Sequence, residues 1–226
     1  MMNDAAKAAL ETAASLPIWS APTDVWLLGG GITNFNVTLT DKGRKYVVRA
    51  GILVIEFVDG VALDEAAIRD DAMLERILPV LKRCHTEAPA HLRGPVLAFW
   101  VFHVLRDYAA TLRDAESRHI ARLDELLQIA VGLEQAVGQV DIVLGHNDLL
   151  AANFLDDGQR LWLLDWEYGG FNSPLFDLAG LASNNELSPA QETWLLENYF
   201  ETPLTGELSR KYHAMKCASL LRETMW

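Results

Sequence analysis

The first sixty residues alternate apolar and polar side chains in a pattern that predicts a small β-sheet. An alanine-rich stretch over residues 4–16 predicts a helix, and Pro17 ends it. Four strands are predicted from their period of two and their β-branched or aromatic residues, over 25–28, 35–40, 45–49 and 52–58. Asp41-Lys42-Gly43 has turn chemistry and joins the second strand to the third. We therefore expect an antiparallel sheet preceded by one helix.

Beyond residue 60 the apolar positions recur three and four residues apart, which predicts helices. One face of the first long helix, which has Pro79 as a predicted kink, carries Leu74, Ile77, Leu78, Leu81 and His85. Further helices are predicted over 96–112, 117–137 and 206–226, and from the start signals Ser173-Pro174 and Ser188-Pro189. Short strands are predicted over 142–144, 153–155 and 161–164. This order predicts an α+β fold with two lobes, 1–59 and 60–226, and a ligand cleft between them.

Composition and charge narrow the possible functions. Half of the 226 residues are hydrophobic and 22% are charged, which is typical of a globular protein. The formal net charge of −12 and the pI near 4.9 disfavour nucleic acid and anionic membranes as partners and favour a cationic small molecule. The N-terminus carries Asp4, Lys7 and Glu11 where a signal peptide would be apolar, so we expect a cytoplasmic protein. The sequence leaves the oligomeric state open.

The most informative polar residues follow position 145. There the pattern His-x-Asp-x₄-Asn precedes an apolar hairpin that ends in Asp-x-Glu. Asn153 begins the hairpin and Asp165 ends it, so we expect both at its open end, where amide and carboxylate oxygens suit Mg²⁺. Asp148 lies in the preceding loop and can orient a hydroxyl and accept its proton. The alternative is that Asp148 and Asp165 are turn and cap residues. For His146 we expect a structural role, in which it braces the loop by hydrogen bonds.

This segment resembles the catalytic segment of the choline/ethanolamine kinases, within the wider aminoglycoside phosphotransferase and protein-kinase-like fold. The resemblance implies that Asp148 is the catalytic base and that Asn153 and Asp165 hold Mg²⁺. It implies that Glu167 assists the metal or the substrate region. It further implies ATP as the phosphoryl donor and Asp177 as a structural acid at a helix start.

The N-terminal part is similar to the nucleotide-binding lobe of the same family. Glycines between the first two strands let backbone amides approach phosphates closely. The residues that the resemblance places near the phosphates are Gly30, Gly31, Thr33 and Asn34. Arg49 stands where kinases carry a strand lysine, and its guanidinium would grip the α- and β-phosphates. Glu56 and Val58 lie in the segment that resembles the interlobe hinge, whose backbone would pair with adenine.

The sequence departs from the family pattern at two places. The family has a helix and a strand where residues 51 and 52 are adjacent here, so we expect residues to be missing near 51/52 and an intact mass above 25.1 kDa. The family also continues beyond Trp226, which matches one aromatic wall of the choline site by position. Tyr168 is a second aromatic candidate, and Asn184 stands where relatives place an acid. Such rings attract a trimethylammonium group by about 0.5–2 kcal/mol per contact.

The sequence thus predicts an ATP- and Mg²⁺-dependent phosphotransferase that acts on the hydroxyl of a small cationic amino alcohol, choline or ethanolamine. Two alternatives remain open. One is an aminoglycoside or other small-molecule kinase of the same fold, since polycationic acceptors suit the same net charge. The other is a non-catalytic, pseudokinase-like binding protein, which the missing helix would favour. The joint presence of Asp148, Asn153 and Asp165 argues against this second alternative.

Overall fold

The structure, a computed structural model, describes residues 4–29, 35–49 and 53–226 of the chain. The chain divides into two compact units, Met1–Asp59 and Gly60–Trp226. Within these described ranges, none of the helices combines the length and the apolar character that crossing a membrane requires.

The N-terminal unit is a four-stranded antiparallel sheet with one helix packed against it. Helix α1 spans Asp4–Ala14. The strands lie side by side in chain order, and they are β1 Thr23–Leu28, β2 Asn36–Asp41, β3 Arg44–Arg49 and β4 Leu53–Glu56. Lys42 and Gly43 have positive φ angles of 50° and 76° in the two-residue loop between β2 and β3. This turn type matches the twist of paired strands, and the predicted hairpin is confirmed.

Alternation along β2 and β3 builds the core of this unit. Val37, Leu39 and Val48 face inward and are buried together with Ala13 of α1. Trp19 lies over this core and donates its indole N–H to the carbonyl of Ala13 at 2.8 Å. Each fully buried aliphatic side chain contributes roughly 1.5–3 kcal/mol. The burial of a few such side chains holds α1 on the sheet.

The C-terminal unit is mainly helical and contains two small antiparallel sheets, ordered β5-β7-β8 and β6-β9. Its helices are α2 Glu65–Ile68, α3 Asp71–Thr86, α4 Val101–Asp114, α5 Ile120–Val137, α6 Pro174–Asn184, α7 Pro189–Phe200 and α8 Gly206–Met225. Its strands are β5 Val61–Ala62, β6 Val143–Gly145, β7 Phe154–Asp156, β8 Leu161–Leu163 and β9 Gly170–Asn172. Single 3₁₀ turns occur at Ala88–His91, Ala151–Asn153 and Trp166–Tyr168.

Helix α8 lies at the centre of the helical packing. It packs against α4, α5 and α6. Tyr212 and Met215 of α8 are fully buried, in the same core as Phe102 of α4 and Phe176 of α6. Since three helices hold α8, the side chains of its last turn have a defined position in the unit.

Local start signals predicted two of the helices, and long-range pairing moved the start of another. Ser173 caps α6, and Ser188 forms a capping box at the start of α7, so both predicted starts are confirmed. The helix predicted from residue 96 was wrong in its first turn, because α4 begins at Val101. Residues 97–99 are extended instead, since their backbone exchanges hydrogen bonds of 2.8 and 2.9 Å with Phe171.

Candidate active site

The β7–β8 hairpin brings two of the candidate oxygen donors to one end. Phe154 pairs with Leu163, and the N–H of Leu164 donates to the carbonyl of Asn153 at 2.8 Å. Asn153 therefore lies beside the strand end from which Asp165 emerges. Asp165 has φ 61° and ψ 64°, and this left-handed conformation turns the chain out of β8.

The loop over residues 146–150, called the Asp148 loop below, is joined to this hairpin end. Asn153 Nδ2 donates to the backbone carbonyl of Asp148 at 2.8 Å. Burial raises the pKa of the half-buried Asp148 carboxyl and the charge of Asp165 adds to the rise, whereas Arg222 and His146 oppose it. A carboxyl whose pKa lies closer to neutral is better matched to accept a proton. The fold thus brings together the three residues that the motif spacing selected.

Asp177 of α6 anchors the other side of the Asp148 loop. Its buried carboxylate accepts the backbone N–H groups of His146 and Asn147, both at 2.7 Å. His85 Nε2 lies 2.9 Å from Asp177 Oδ2, and because a carboxylate only accepts, Nε2 carries the proton. Tyr199 completes the chain, with its hydroxyl 2.8 Å from His85 Nδ1. Burial acts to raise the pKa of Asp177. The hydrogen bonds that the carboxylate accepts, led by that of His85, outweigh burial and hold the pKa below the usual range.

His146 and Asn147 tie the loop to the strand segments around it. His146 Nε2 donates to the carbonyl of Leu164 at 2.7 Å, so the bracing predicted for His146 is confirmed. Asn147 has a φ of 66°, and its Nδ2 donates to the carbonyls of Tyr168 at 2.9 Å and Gly170 at 3.2 Å. Asparagine adopts this left-handed backbone more readily than most residues do. No role was predicted for Asn147 from the sequence, although its position next to the candidate base Asp148 was an available signal.

The candidate acceptor residues belong to the 3₁₀ turn after the hairpin and to the ends of α6 and α8. The ring of Tyr168 is covered by the guanidinium of Arg222, which lies 4.8 Å from the ring centroid. Trp226 is 69% exposed, and its backbone N–H donates to the carbonyl of Arg222. Glu167 is exposed in the 3₁₀ turn that follows the hairpin, and Asn184 is the last residue of α6. Tyr168 and Trp226 therefore both lie at the last turn of α8.

A buried asparagine next to Asn184 reaches the Asp148 loop. Asn185 donates its Nδ2 to the carbonyl of Leu149 at 3.3 Å and to that of Leu181 at 2.8 Å. Arg69 in turn donates to the carbonyl of Asn185 at 3.1 Å. The sequence argument missed Asn185, because nothing local distinguishes it from its neighbour before the fold shows which of the two is buried.

The N-terminal candidates are described only in part. Four of them lie outside the described residues: Gly30, Gly31, Thr33 and Asn34. The junction at 51/52 also lies outside the described residues. Arg49 ends β3 opposite Asn36 of β2 and Leu53 of β4. Glu56 is exposed at the end of β4, and Val58 follows it and is half-buried. The roles of these residues as nucleotide contacts stay predictions.

The open end of the hairpin fits a magnesium ion by its donor chemistry. The side-chain nitrogen of Asn153 is engaged by the carbonyl of Asp148, so its amide oxygen is the atom that it can offer to a ligand. Together with the carboxylate of Asp165 this makes two hard oxygen donors. Mg²⁺ is held in proteins by one or two such groups and completes its coordination with phosphate oxygens and water.

The chain matches known proteins along most of its length. The family model "Choline/ethanolamine kinase" matches residues 29–189. Protein LicA of Haemophilus influenzae is 25% identical in an alignment of 224 positions that covers 81% of this chain and 63% of that protein. Ethanolamine kinase 2 of Mus musculus is 29% identical in an alignment of 134 positions that covers 56% of this chain and 34% of that protein. The chain spans about three fifths of the length of the LicA relatives, 63% and 59%.

The fold is also found among solved structures. The crystal structure of choline kinase LicA from Streptococcus pneumoniae superposes with a TM-score of 0.78 at 24% identity, over 99% of this chain and 90% of that chain. This likeness confirms the predicted fold class, a small antiparallel sheet followed by a larger helical part in a protein-kinase-like fold. Since the family model covers well over half of the sequence, the chain belongs to the choline/ethanolamine kinase family.

Proposed function

We propose that the protein is an ATP- and Mg²⁺-dependent phosphotransferase that transfers the γ-phosphoryl group to the hydroxyl of choline, with ethanolamine as a second acceptor. The observation that carries this proposal is the joint position of Asp148, Asn153 and Asp165. A half-buried carboxylate in an anchored loop lies beside two oxygen donors at the end of a hairpin. Phosphoryl transfer to an alcohol uses this combination of a proton acceptor and a metal–phosphate site.

Asp148 orients the acceptor hydroxyl and accepts its proton. The acceptor oxygen forms a bond to the γ-phosphorus while the bond from that phosphorus to the β–γ bridging oxygen breaks, and ADP leaves. The transition state of such transfers is loose, so positioning and charge neutralisation supply most of the rate enhancement. The anchoring of the Asp148 loop by Asp177 and Asn153 supplies the positioning.

The metal and the nucleotide are assigned to different parts of the chain. Asn153 and Asp165 would hold Mg²⁺, with Glu167 assisting, and the ion would supply neutralisation of the charge on the phosphates. Residues 60–226 form the catalytic and acceptor-binding lobe, and residues 1–59 form the nucleotide-binding lobe. The nucleotide contacts that we propose in this second lobe are Gly30, Gly31, Thr33 and Asn34 near the phosphates, Arg49 on the α- and β-phosphates, and Glu56 and Val58 beside adenine.

The acceptor is proposed to be a small cationic alcohol. The net charge of −12 attracts cations, and Tyr168 and Trp226 supply aromatic rings, with Asn184 as a further polar candidate. The similarity to ethanolamine kinase 2 of Mus musculus and to choline kinase LicA of Streptococcus pneumoniae supports the same acceptor class. Aminoglycosides carry several amines and would call for more carboxylates than rings, so they are the weaker alternative.

The test is Mg²⁺-dependent release of ADP from ATP with choline, ethanolamine or an aminoglycoside as the acceptor. Asp148→Asn keeps the side-chain shape and removes the proton acceptor, so release with choline should fall about 100-fold or more. Asp124→Asn is the matched control, because it removes an exposed carboxylate of α5 that pairs with Arg113. If ADP is released only with an aminoglycoside, the acceptor is an aminoglycoside and not choline or ethanolamine. No release with any acceptor would refute the proposal and favour a non-catalytic binding protein.

A further inference from the structure

Arg222 is a buried cation in the last turn of α8. Only 4% of the residue is exposed. Its guanidinium carbon lies 4.8 Å from the ring centroid of Tyr168 and 5.5 Å from that of Phe99. The two rings meet edge to face at 73°. The guanidinium therefore lies beside both aromatic rings, where a cation is attracted by the ring quadrupole.

Polar groups complete the surroundings of this cation. Arg222 Nη1 donates to Glu223 Oε1 at 2.5 Å and lies 3.9 Å from Asp148 Oδ1. Tyr108 of α4 also faces the guanidinium; burial raises the pKa of that phenol, and the positive charge of Arg222 opposes the rise. Aromatic rings with carboxylates are the groups that recognise an alkylammonium. Arg222 thus occupies a position whose rings and carboxylates would suit an alkylammonium ligand.

One donor of Arg222 is left without a protein partner. Its Nε is buried and hydrogen-bonds to none of the residues in the described ranges. Burying an unsatisfied donor is unfavourable, and an oxygen of a bound ligand would satisfy it. An unsatisfied donor on the side chain that neighbours Asp148 indicates that Arg222 faces the space in which an acceptor binds.

We propose that Arg222 is a specificity-determining residue of the acceptor site: as an intrinsic cation beside Asp148, it limits the preference of the enzyme for a cationic alcohol over a neutral one. This inference rests on the proposed function, because it takes Asp148 as the position of the acceptor hydroxyl. Two carbons separate the hydroxyl from the nitrogen in choline and ethanolamine, so the two positive charges come close together. At about 6 Å in a partly buried site, their repulsion corresponds to about a tenfold or larger loss of affinity.

The experiment compares choline with 3,3-dimethylbutan-1-ol, in which carbon replaces the quaternary nitrogen and the shape is kept. The measured quantity is the ratio of kcat/KM for the two alcohols, since a change that affects both equally cancels. Arg222→Met keeps the packing on the rings and removes the charge, so the ratio should rise about tenfold or more, mainly through a lower KM for choline. Glu223→Gln removes a neutralising charge and should lower the ratio about threefold or more. Arg222→Lys keeps the charge and should stay near the wild-type ratio.

Arg210→Met is the matched control on the same helix. Its guanidinium is directed at the carbonyl of Ala136, so the ratio should not change. A wild-type ratio in Arg222→Met would overturn the inference, because Arg222 would then only pack α8. If circular dichroism shows that Arg222→Met does not fold, Arg222→Gln, which removes the charge and keeps polar groups, decides. A ratio that rises about tenfold in Arg222→Gln supports the inference, and an unchanged ratio overturns it.

Binding of tetramethylammonium, measured by isothermal titration calorimetry, separates this inference from the proposed function. Arg222→Met should bind this ion about tenfold more tightly than the wild type and Arg210→Met do. If the wild type phosphorylates no alcohol but this difference is found, the proposed function fails and the competing role of Arg222 stands. If choline is phosphorylated while neither the kcat/KM ratio nor the tetramethylammonium affinity changes, the inference fails and the proposed function stands.

Discussion

Asp177→Asn is the substitution that most directly tests how the Asp148 loop is held. The native carboxylate accepts three hydrogen bonds, from the N–H groups of His146 and Asn147 and from His85 Nε2. An amide offers one accepting oxygen, so its nitrogen faces a donor at 2.7 or 2.9 Å whichever way it is turned. The variant therefore loses at least one hydrogen bond to a charged group and leaves a buried donor unsatisfied.

The expected loss follows from these two effects. A hydrogen bond to a charged group contributes about 1.5–3 kcal/mol, and an unsatisfied buried donor costs about 1–3 kcal/mol. The free energy of unfolding should fall by about 3–5 kcal/mol, measured by urea unfolding at pH 7 with tryptophan fluorescence. Asp124→Asn, whose side chain is 92% exposed, should stay within about 0.5 kcal/mol of the wild type. A loss below about 1 kcal/mol for Asp177→Asn would refute the reasoning.

The pH dependence of stability gives a second measurement on the same residue. The native pKa of Asp177 lies below its ordinary value, so the unfolded chain binds this proton more readily than the native one. Its contribution to the free energy of unfolding is present above the unfolded pKa of about 3.9 and is lost as the pH falls through the native pKa. The wild type should therefore lose stability below about pH 4 more steeply than Asp177→Asn. Equal slopes would contradict this.

Further outcomes are expected elsewhere in the chain. Arg76→Gln removes the bidentate pair that does most to hold the pKa of Asp156 at about 2, so NMR titration should find that pKa raised but still below 3.8, because the N–H of Gly158 also donates to this carboxylate. The pair stabilises the fold above about pH 4 and loses this effect as the pH falls through 2. Burial raises the pKa of the Cys84 thiol to about 12, so the native protein should show one fast thiol, that of exposed Cys217, and the denatured protein two; two fast thiols in the native protein would contradict this. The intact mass should exceed 25.1 kDa if residues are missing near 51/52, and a mass of 25.1 kDa would end that hypothesis.

The sequence was sufficient wherever the signal is local. The capping box at Ser188 and the turn at Lys42-Gly43 act within a few residues, and both are found as predicted. The start of α4 was placed too early because residues 97–99 are held by Phe171, which is far along the chain. Strand β5 was not predicted from the sequence. It has only two residues, too few to show an alternating pattern, and it forms by pairing with β7.

The candidate site also contains residues that the sequence could predict and contacts that only the fold could show. The motif spacing placed Asp148, Asn153 and Asp165 together, and the hairpin register brings Asn153 beside the strand end that carries Asp165. His85 was predicted on an apolar helical face, and a polar ring in that position was itself a signal of a buried partner. The partner, Asp177, is on another helix, so only the fold could identify it.

Arg222 is the residue that a motif argument was least able to place. Its position beside Asp148 depends on how α8 packs against α4, α5 and α6, and no local pattern encodes that packing. The guanidinium of Arg222 covers the ring of Tyr168, which the family resemblance assigned to the acceptor. If the guanidinium keeps that ring, the ammonium of the acceptor must depend on exposed Trp226 and on carboxylates such as Glu223. If instead the acceptor displaces the guanidinium, binding must break the pair with Glu223 as well, and in both cases the charge of Arg222 lowers the affinity for a cation.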